Sequence, residues 1–296
     1  MNDIPIKDVS DTAFMVAMCR AKESERPDAL FRDPLSLKLA DERGQRIMMG
    51  LWGSNWASAH HARIMIWQVA LRTYIIDRFI ETATGQGMNA ILNLGAGLDT
   101  RPYRMVVPKT QQWIEVDYPH VIELKESKLS AEHPRCNLER IKLDLTDRAA
   151  RLRLFACLGS RFNNVLVLTE GVIPYLTESD AGMLADDLRS QASFKQWIVD
   201  YISRQVIAYR AGSAAGAQMQ DAPFRFDPAD YFGFFQQRGW KAQQIRYLWD
   251  QGAQLERPMH PAPAGTFWLK LLRPFVSQAR RDAIRKSIGY VVFEPC

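Results

Sequence analysis

The chain has 296 residues, 47% of them hydrophobic, with a formal net charge of +5 and an isoelectric point near 9.0. That composition excludes a chain too polar to bury a core, and the length suits one large α/β domain with additions or two small domains. So modest a positive excess accommodates an anionic substrate without requiring nucleic acid. The four cysteines, Cys19, Cys136, Cys157 and Cys296, form no C-x-x-C pair and have no histidine at zinc-ligand spacing, so no metal site is expected. Scattered cysteines in a chain this long read as reduced thiols of a cytoplasmic protein. The opening Met-Asn-Asp-Ile-Pro carries no basic region followed by an apolar stretch, so no signal peptide is expected.

In chain order, residues 1–85 read as a helical N-terminal cap. Ser10 and Thr12 can cap a helix to about Lys22, with Ala13, Val16, Ala17 and Arg20 close in angle. Arg26-Pro27 and Asp33-Pro34 break the pattern, and a second helix starts near Pro34. A long helix then runs from about Ala57 to Ala83. Its most apolar part, Ile64 to Ile80, is interrupted by Gln68, Arg72, Asp77 and Arg78, which suits a core helix and not a membrane span. Met48, Met49, Leu51, Trp52 and Trp56 either pack the cap or, at Trp52 or Trp56, reach a ligand pocket.

From Asn89 the period changes. The run from Ala90 to Leu94 ends at glycines, as a buried parallel strand does. Further strands are expected at Trp113–Val116, Leu138–Leu145, Asn164–Thr169, Gln196–Tyr201, Ala242–Leu248 and Thr266–Leu272. Helical patterns at Val121–Ala131, Ala149–Leu158 and Ser179–Ala192 alternate with the first five. The alternation predicts an α/β fold with a doubly wound, mostly parallel sheet. The last two runs lack a helix between them, so an antiparallel edge pair would complete seven strands. Residues 86–296 thus read as a Rossmann-like domain. A lid insertion is expected around 203–240, where Phe224, Phe226, Tyr231, Phe232, Phe234 and Phe235 cluster; these can equally pack a peripheral helix.

Residues 93–104, reading NLGAGLDTRPYR, place Gly95 and Gly97 after the first strand, where a ligand must approach the backbone closely. Three acids sit at or just beyond successive strand ends: Asp117, Asp144 and Glu170. An acid after the second strand suits the two hydroxyls of a ribose. Asp144 or its neighbouring backbone can meet an adenine amine, and Glu170 would lie near a positively charged group. Any one of them can instead be a turn former. A dinucleotide would also use an acid after the second strand, yet it needs a third glycine and a bare helix N-terminus for its pyrophosphate. That glycine position is Thr100, and Asp99 adds negative charge beside it. The acids therefore point to a cationic cofactor, S-adenosyl-L-methionine, over NAD.

These motifs carry a resemblance. NLGAGLDTR, then EVDYP around Asp117, LDLTD around Asp144 and TEGVIPYL around Glu170 resemble the leucine carboxyl methyltransferase family. The N-terminal DTAxxVAxxRA and LFRDPL look like its bacterial O-methyltransferase branch, and the likeness runs from about residue 10 to 180. It implies a class I methyltransferase-like fold and S-adenosyl-L-methionine as cofactor. It further implies Arg63 and Arg20 near the cofactor carboxylate, Gly95 at the methionine moiety and Asp117 with Tyr118 at the ribose. Asp144 and Leu145 fall around adenine, and Glu170 at the amino group. Arg63 and Arg72 lie nine positions apart on one helix, about half a turn out of phase, so only one can face the sheet. Many relatives read DLRD after the third strand, with an arginine able to hold an acceptor carboxylate; Thr146 stands here.

The reading is O-methyl transfer to a small-molecule acceptor, with a carboxylate favoured over a phenol or other hydroxyl. A carboxylate needs no base, whereas a phenol benefits from one. His60, His61 and His260 are candidate bases, and Tyr175 can touch the acceptor. The basic stretch Gln278–Lys286 keeps an RNA substrate as an alternative, although no RNA-binding module is recognisable. A catalytically silent partner subunit is the third reading.

Overall fold

The computed structural model describes residues 9–52, 56–211, 223–259 and 277–296. Helix α1 (Val9–Ser24) places Phe14, Ala17, Met18 and Ala21 on one stripe, the spacing that an amphipathic helix buries. That stripe packs against Leu39, Ala40, Ile47 and Met48 of α2 (Ser36–Trp52). Met49 beside them is exposed, while the side chains of Leu51, Trp52 and Trp56 lie outside the described residues, so the cap-or-pocket choice for the tryptophans does too. Helix α3 (Trp56–Gly85) begins in the cap, but its second half is sheet core. Leu71, Ile75, Ile76, Phe79 and Ile80 pack on the central strands, so the hydrophobic core continues across residue 85.

The strands alternate with helices: β1 (Ala90–Leu94), α4 (Arg101–Arg104), β2 (Gln112–Asp117), α5 (Pro119–Lys128), β3 (Asn137–Lys142), α6 (Arg148–Arg161), β4 (Val165–Thr169), α7 (Glu178–Arg189) and β5 (Phe194–Ile202). There follow α8 (Arg204–Ala211), α9 (Tyr231–Gln236), β6 (Trp240–Tyr247), α10 (Leu248–Gln254), α11 (Gln278–Arg285) and β7 (Ile288–Pro295). The seven strands stand in the order β3-β2-β1-β4-β5-β7-β6. The first five pair in parallel, and β7 runs antiparallel to both β5 and β6. Side chains alternate between the two faces. Ile91, Leu166 and Ile198 meet α3, whereas Leu92, Val167 and Trp197 share the opposite core with Phe155, Leu184 and Phe235.

Two expectations need correction. The strand expected at Thr266–Leu272 lies outside the described residues, and the seventh strand is the C-terminal Ile288–Pro295. It inserts between β5 and β6, and among the described residues β6 forms that edge. Gly289 permits this, since a Cβ there would sit 2.8 Å from the Arg246 carbonyl oxygen of β6. The aromatic cluster of the expected lid is largely core: Phe226 and Phe235 are buried, and Tyr231 donates to the Asp200 carbonyl at 2.5 Å. Among the described residues no helix is long and apolar enough to cross a membrane.

Strand order reverses between β1 and β4, so the loops leaving them diverge and open a crevice at the carboxyl edge. A buried ion pair fixes one wall: Lys125 of α5 donates to Glu115 of β2 at 2.6 Å, both wholly buried, and Arg140 meets the other oxygen at 3.0 Å. Removing Lys125 leaves one oxygen of the buried Glu115 without its charged donor, Arg140 holding only the other. Lys125→Met is expected to cost about 3 kcal/mol in urea denaturation, with Lys125→Met/Glu115→Gln recovering much of it. A neutral single variant would show that the pair does not hold this wall.

Candidate active site

A cavity of about 540 Å³ fills the crevice, within the range that encloses a cofactor-sized ligand. Its lining divides along the sheet. Gly95, Gly97, Asp117, Leu143 and Leu145 come from the loops after β1, β2 and β3. Glu170 and Val172 come from the loop after β4, Asp200 and Tyr201 from β5, and Tyr290 from β7.

The first half is built around glycine geometry. Gly95 and Gly97 adopt φ of +68° and +46°, the left-handed region open to glycine at no steric cost. A Cβ on Gly95 would meet Val172 Cγ2 at 2.5 Å. The Asp117 carboxylate accepts from Gly97 N at 2.6 Å and Tyr118 N at 2.7 Å. Burial nonetheless outweighs those bonds and raises its carboxyl above the ordinary value. Tyr118 lines the cavity, part exposed and stacked on His120.

Asp144 does not line the cavity. Its side chain is exposed and turns onto the Thr146 backbone N and hydroxyl at 2.8 and 2.7 Å, the turn-forming alternative that the sequence left open. Leu145 and Thr146 are at the wall.

The centre is a buried ionic ladder. Arg101 Nη1 meets Asp99 at 2.8 Å and Glu170 at 2.6 Å, while its Nε meets Asp77 at 2.7 Å. Arg72 Nε meets the other oxygen of Glu170 at 2.5 Å, and Arg104 closes on Asp77 at 2.6 Å. Burial would raise Glu170, but Arg101 and Arg72 override it and bring the carboxyl down to about 2. Burial likewise opposes ionisation of Asp99, yet Arg101 above all holds it well below the usual carboxylate range. Asp99 also accepts from Asn93 Nδ2 at 2.9 Å. It therefore presents no bare charge to a ligand, contrary to its expected role as a repelling anion.

The arginine choice also changes. Arg63 is exposed and outside the lining, whereas Arg72, on the opposite side of α3, faces the cavity. As their spacing on one helix requires, only one of the two arginines reaches the cavity. Arg20 does line the cavity, bonded to Asp33 at 2.8 Å and to the Leu98 carbonyl at 2.6 Å.

In the second half Tyr175 lines the wall, packed edge-on to Phe224. Burial raises its phenol above the ordinary value, with Arg210 and Arg72 partly offsetting it. Arg210 of α8 lies over the Phe224 ring at 4.3 Å. His60 and His61 do not line the cavity, and His260 is outside the described residues. Asp200 and Tyr290 were missed. Asp200 is an acid near the carboxyl end of the fifth strand, which was the available signal; Tyr290 lay in the overlooked C-terminal strand. No metal-binding cluster occurs among the described residues.

Gly95→Ala is expected to lose about 1–3 kcal/mol of stability through left-handed strain and the Val172 contact, followed by thermal melting. Adding Val172→Ala should return part of the loss; full tolerance by the single variant would mean the loop rearranges.

The leucine carboxyl methyltransferase model matches residues 13–188. A Streptomyces coelicolor protein, provisionally named an S-adenosyl-L-methionine-dependent methyltransferase, is 32% identical over 263 residues, covering 85% of this chain and 89% of its own. A Mycobacteroides abscessus protein of the same provisional name is 28% identical, covering 90% and 94%. Among solved structures, a duf574 family protein from Streptomyces avermitilis is 13% identical with a TM-score of 0.54, over 96% of this chain and 97% of its own, which bears on the fold. By its matched motifs and its relatives, the chain belongs to the leucine carboxyl methyltransferase family of S-adenosyl-L-methionine-dependent methyltransferases.

Proposed function

We propose that this S-adenosyl-L-methionine-dependent methyltransferase acts on oxygen, transferring the methyl group to a carboxylate of a small apolar or aromatic molecule. The observation that carries the acceptor class is Arg210, whose guanidinium lines the second half of the cavity beside Tyr175 and over Phe224. Planar guanidinium groups recognise carboxylates by paired hydrogen bonds. Arg210 reaches from α8 and so supplies a cation that Thr146, at the family's arginine position, does not. The apolar walls, Val172, Leu176, Met183 and Phe224 among them, suit an apolar acceptor body.

The residues present fit the cofactor. The Gly95-Ala96-Gly97 loop, with no side chain larger than a methyl, leaves room over β1, and the Asp117 carboxylate lies beside it at the ribose position. Leu143, Leu145 and Thr146 border the adenine position, and Arg72 with Arg20 lies at the far end for the carboxylate. Bound there, the cofactor supplies a methyl group activated by a sulfonium. The chain's part is to align the acceptor oxygen and keep water out. A carboxylate is already ionised and needs no base, in keeping with the positions of His60, His61 and Tyr175.

Calorimetry with S-adenosylhomocysteine tests the cofactor half. Asp117→Ala should weaken binding by roughly 2–3 kcal/mol. Arg72→Ala should lose affinity and Arg63→Ala keep it; the reverse pattern would restore the sequence-based choice.

The acceptor half is tested on the product of labelled-methyl transfer to a metabolite extract. A methyl ester is cleaved by mild alkali, and at saturating cofactor the rate should be nearly flat from about pH 7 to 9. An alkali-stable product whose formation slows below neutral pH would point to a hydroxyl acceptor instead.

A further inference from the structure

We propose that Asp200 pairs with the ammonium of the cofactor's methionine moiety, and that Glu170 is instead the positioning residue for Arg72. This rests on the reading that the cavity holds S-adenosyl-L-methionine. The family resemblance gave the ammonium to Glu170, but both oxygens of Glu170 are already held by guanidinium groups, at 2.5 and 2.6 Å. Its charge is answered within the protein, and a further cation there would face Arg72 and Arg101 at close range.

Asp200 is in the opposite condition. It lies two residues before the end of β5, is buried, and lines the same cavity. One oxygen accepts from Gly171 N at 2.7 Å, yet among the described residues no lysine or arginine forms an ion pair with it. Burial without a close counter-ion pushes its carboxyl up to about 6, with Arg72 and the Gly171 N–H only partly offsetting that. A buried carboxylate is costly until a cation reaches it.

The neighbours define which cation fits. Arg72 of α3 and Asp200 of β5 line one end of the cavity, a positive and a negative group at the same end. A ligand with adjacent carboxylate and ammonium groups satisfies both, and an α-amino acid is such a ligand. The end of β5 is braced on two sides. Tyr231 of α9 donates to the Asp200 carbonyl, and Tyr290 of β7 stands opposite it in register.

The test separates the two ends of the amino acid by calorimetry on the full chain. S-Adenosylhomocysteine carries both groups, decarboxylated S-adenosylmethionine keeps only the ammonium, and methylthioadenosine has neither. Asp200→Asn should lose about tenfold or more for the first two and nothing for methylthioadenosine. Arg72→Ala and Glu170→Gln should lose affinity for S-adenosylhomocysteine alone. Methylthioadenosine binding also certifies that each variant is folded, and Asp200→Ser repeats the measurement if the asparagine variant fails that check.

Stability gives a second readout without turnover. Asp200 is faced by Arg72, Glu170, Tyr175, Tyr201, Tyr231 and Tyr290, and among these its own carboxyl holds a proton to about pH 6, against 3.8 ordinarily. The folded state therefore binds the extra proton between those values, and the ligand-free protein loses stability as pH rises through that window. Asp200→Asn should melt higher than the parent at pH 7 and gain less from S-adenosylhomocysteine.

If the parent chain does not bind S-adenosylhomocysteine, the cofactor reading itself fails. If it binds and Asp200→Asn binds equally well, this inference alone is overturned. Unchanged binding with lost methyl transfer would likewise overturn it and assign Asp200 to the acceptor.

Discussion

Arg101 leaves a one-turn helix beneath the cavity and meets three carboxylates, Asp77, Asp99 and Glu170, which Arg72 and Arg104 share with it. Three acids against three guanidinium groups leave the ladder neutral, so each charge can stay ionised although all are largely dehydrated. Such pairs seldom add net stability compared with apolar packing, because desolvation offsets the attraction. What they impose here is position. Asp77 and Arg72 belong to α3, Asp99 to the glycine loop, Arg101 and Arg104 to α4, and Glu170 to the loop after β4. No one of these can shift without stranding a charge. The ladder thus ties the helix that begins in the cap to both lips of the crevice.

The reversed strand explains the other half of the cavity. A parallel strand beside β5 would bring its last residues to the carboxyl edge. Because β7 is antiparallel, its first residues arrive there: Tyr290 stands opposite Asp200, and Ile288 opposite Ile202. The end of the chain therefore furnishes cavity wall. Strands β4, β5 and β7, with the loop after β4, together provide the second wall of the cavity, facing the glycine loop.

The fold was legible where the pattern is local. Ala90–Leu94 reads as a buried strand from its own five residues, and α1 from its four-residue stripe, with no reference to the rest of the chain. The place of β7 is not local: the run YVVFE is apolar, but its pairing depends on β5, 90 or more residues earlier. The site divides the same way. Asp117 ends a strand and stands where a strand-end acid must. Asp144 ends a similar run, yet β3 stops at Lys142 and the acid falls in a turn, where Thr146 captures it. The choice between Arg63 and Arg72 needed the rotation of α3 on the sheet, which a 30-residue helix apolar on most sides does not announce.

Asp99 shows how a correct discrimination can rest on the wrong force. It was expected to repel a diphosphate by its charge, and Arg101 cancels that charge at 2.8 Å. Its geometry achieves the exclusion instead. A pyrophosphate needs the free N–H groups of a helix that begins just after the glycines. Here that helix is α4, of four residues, and its first N–H, on Arg101, already donates to Asp99 Oδ1 at 2.9 Å. The next residue, Pro102, has no N–H to offer, and Tyr103 N turns back to the Thr100 carbonyl at 2.9 Å. The Thr100 hydroxyl, at the position of the missing third glycine, is bonded to Asp33 of the cap at 2.7 Å. Each donor that a phosphate would seek is thus occupied within the protein. What remains open toward the cavity is the Asp117 carboxylate and the glycine loop, which suits a ribose joined to a sulfonium and offers nothing to a diphosphate.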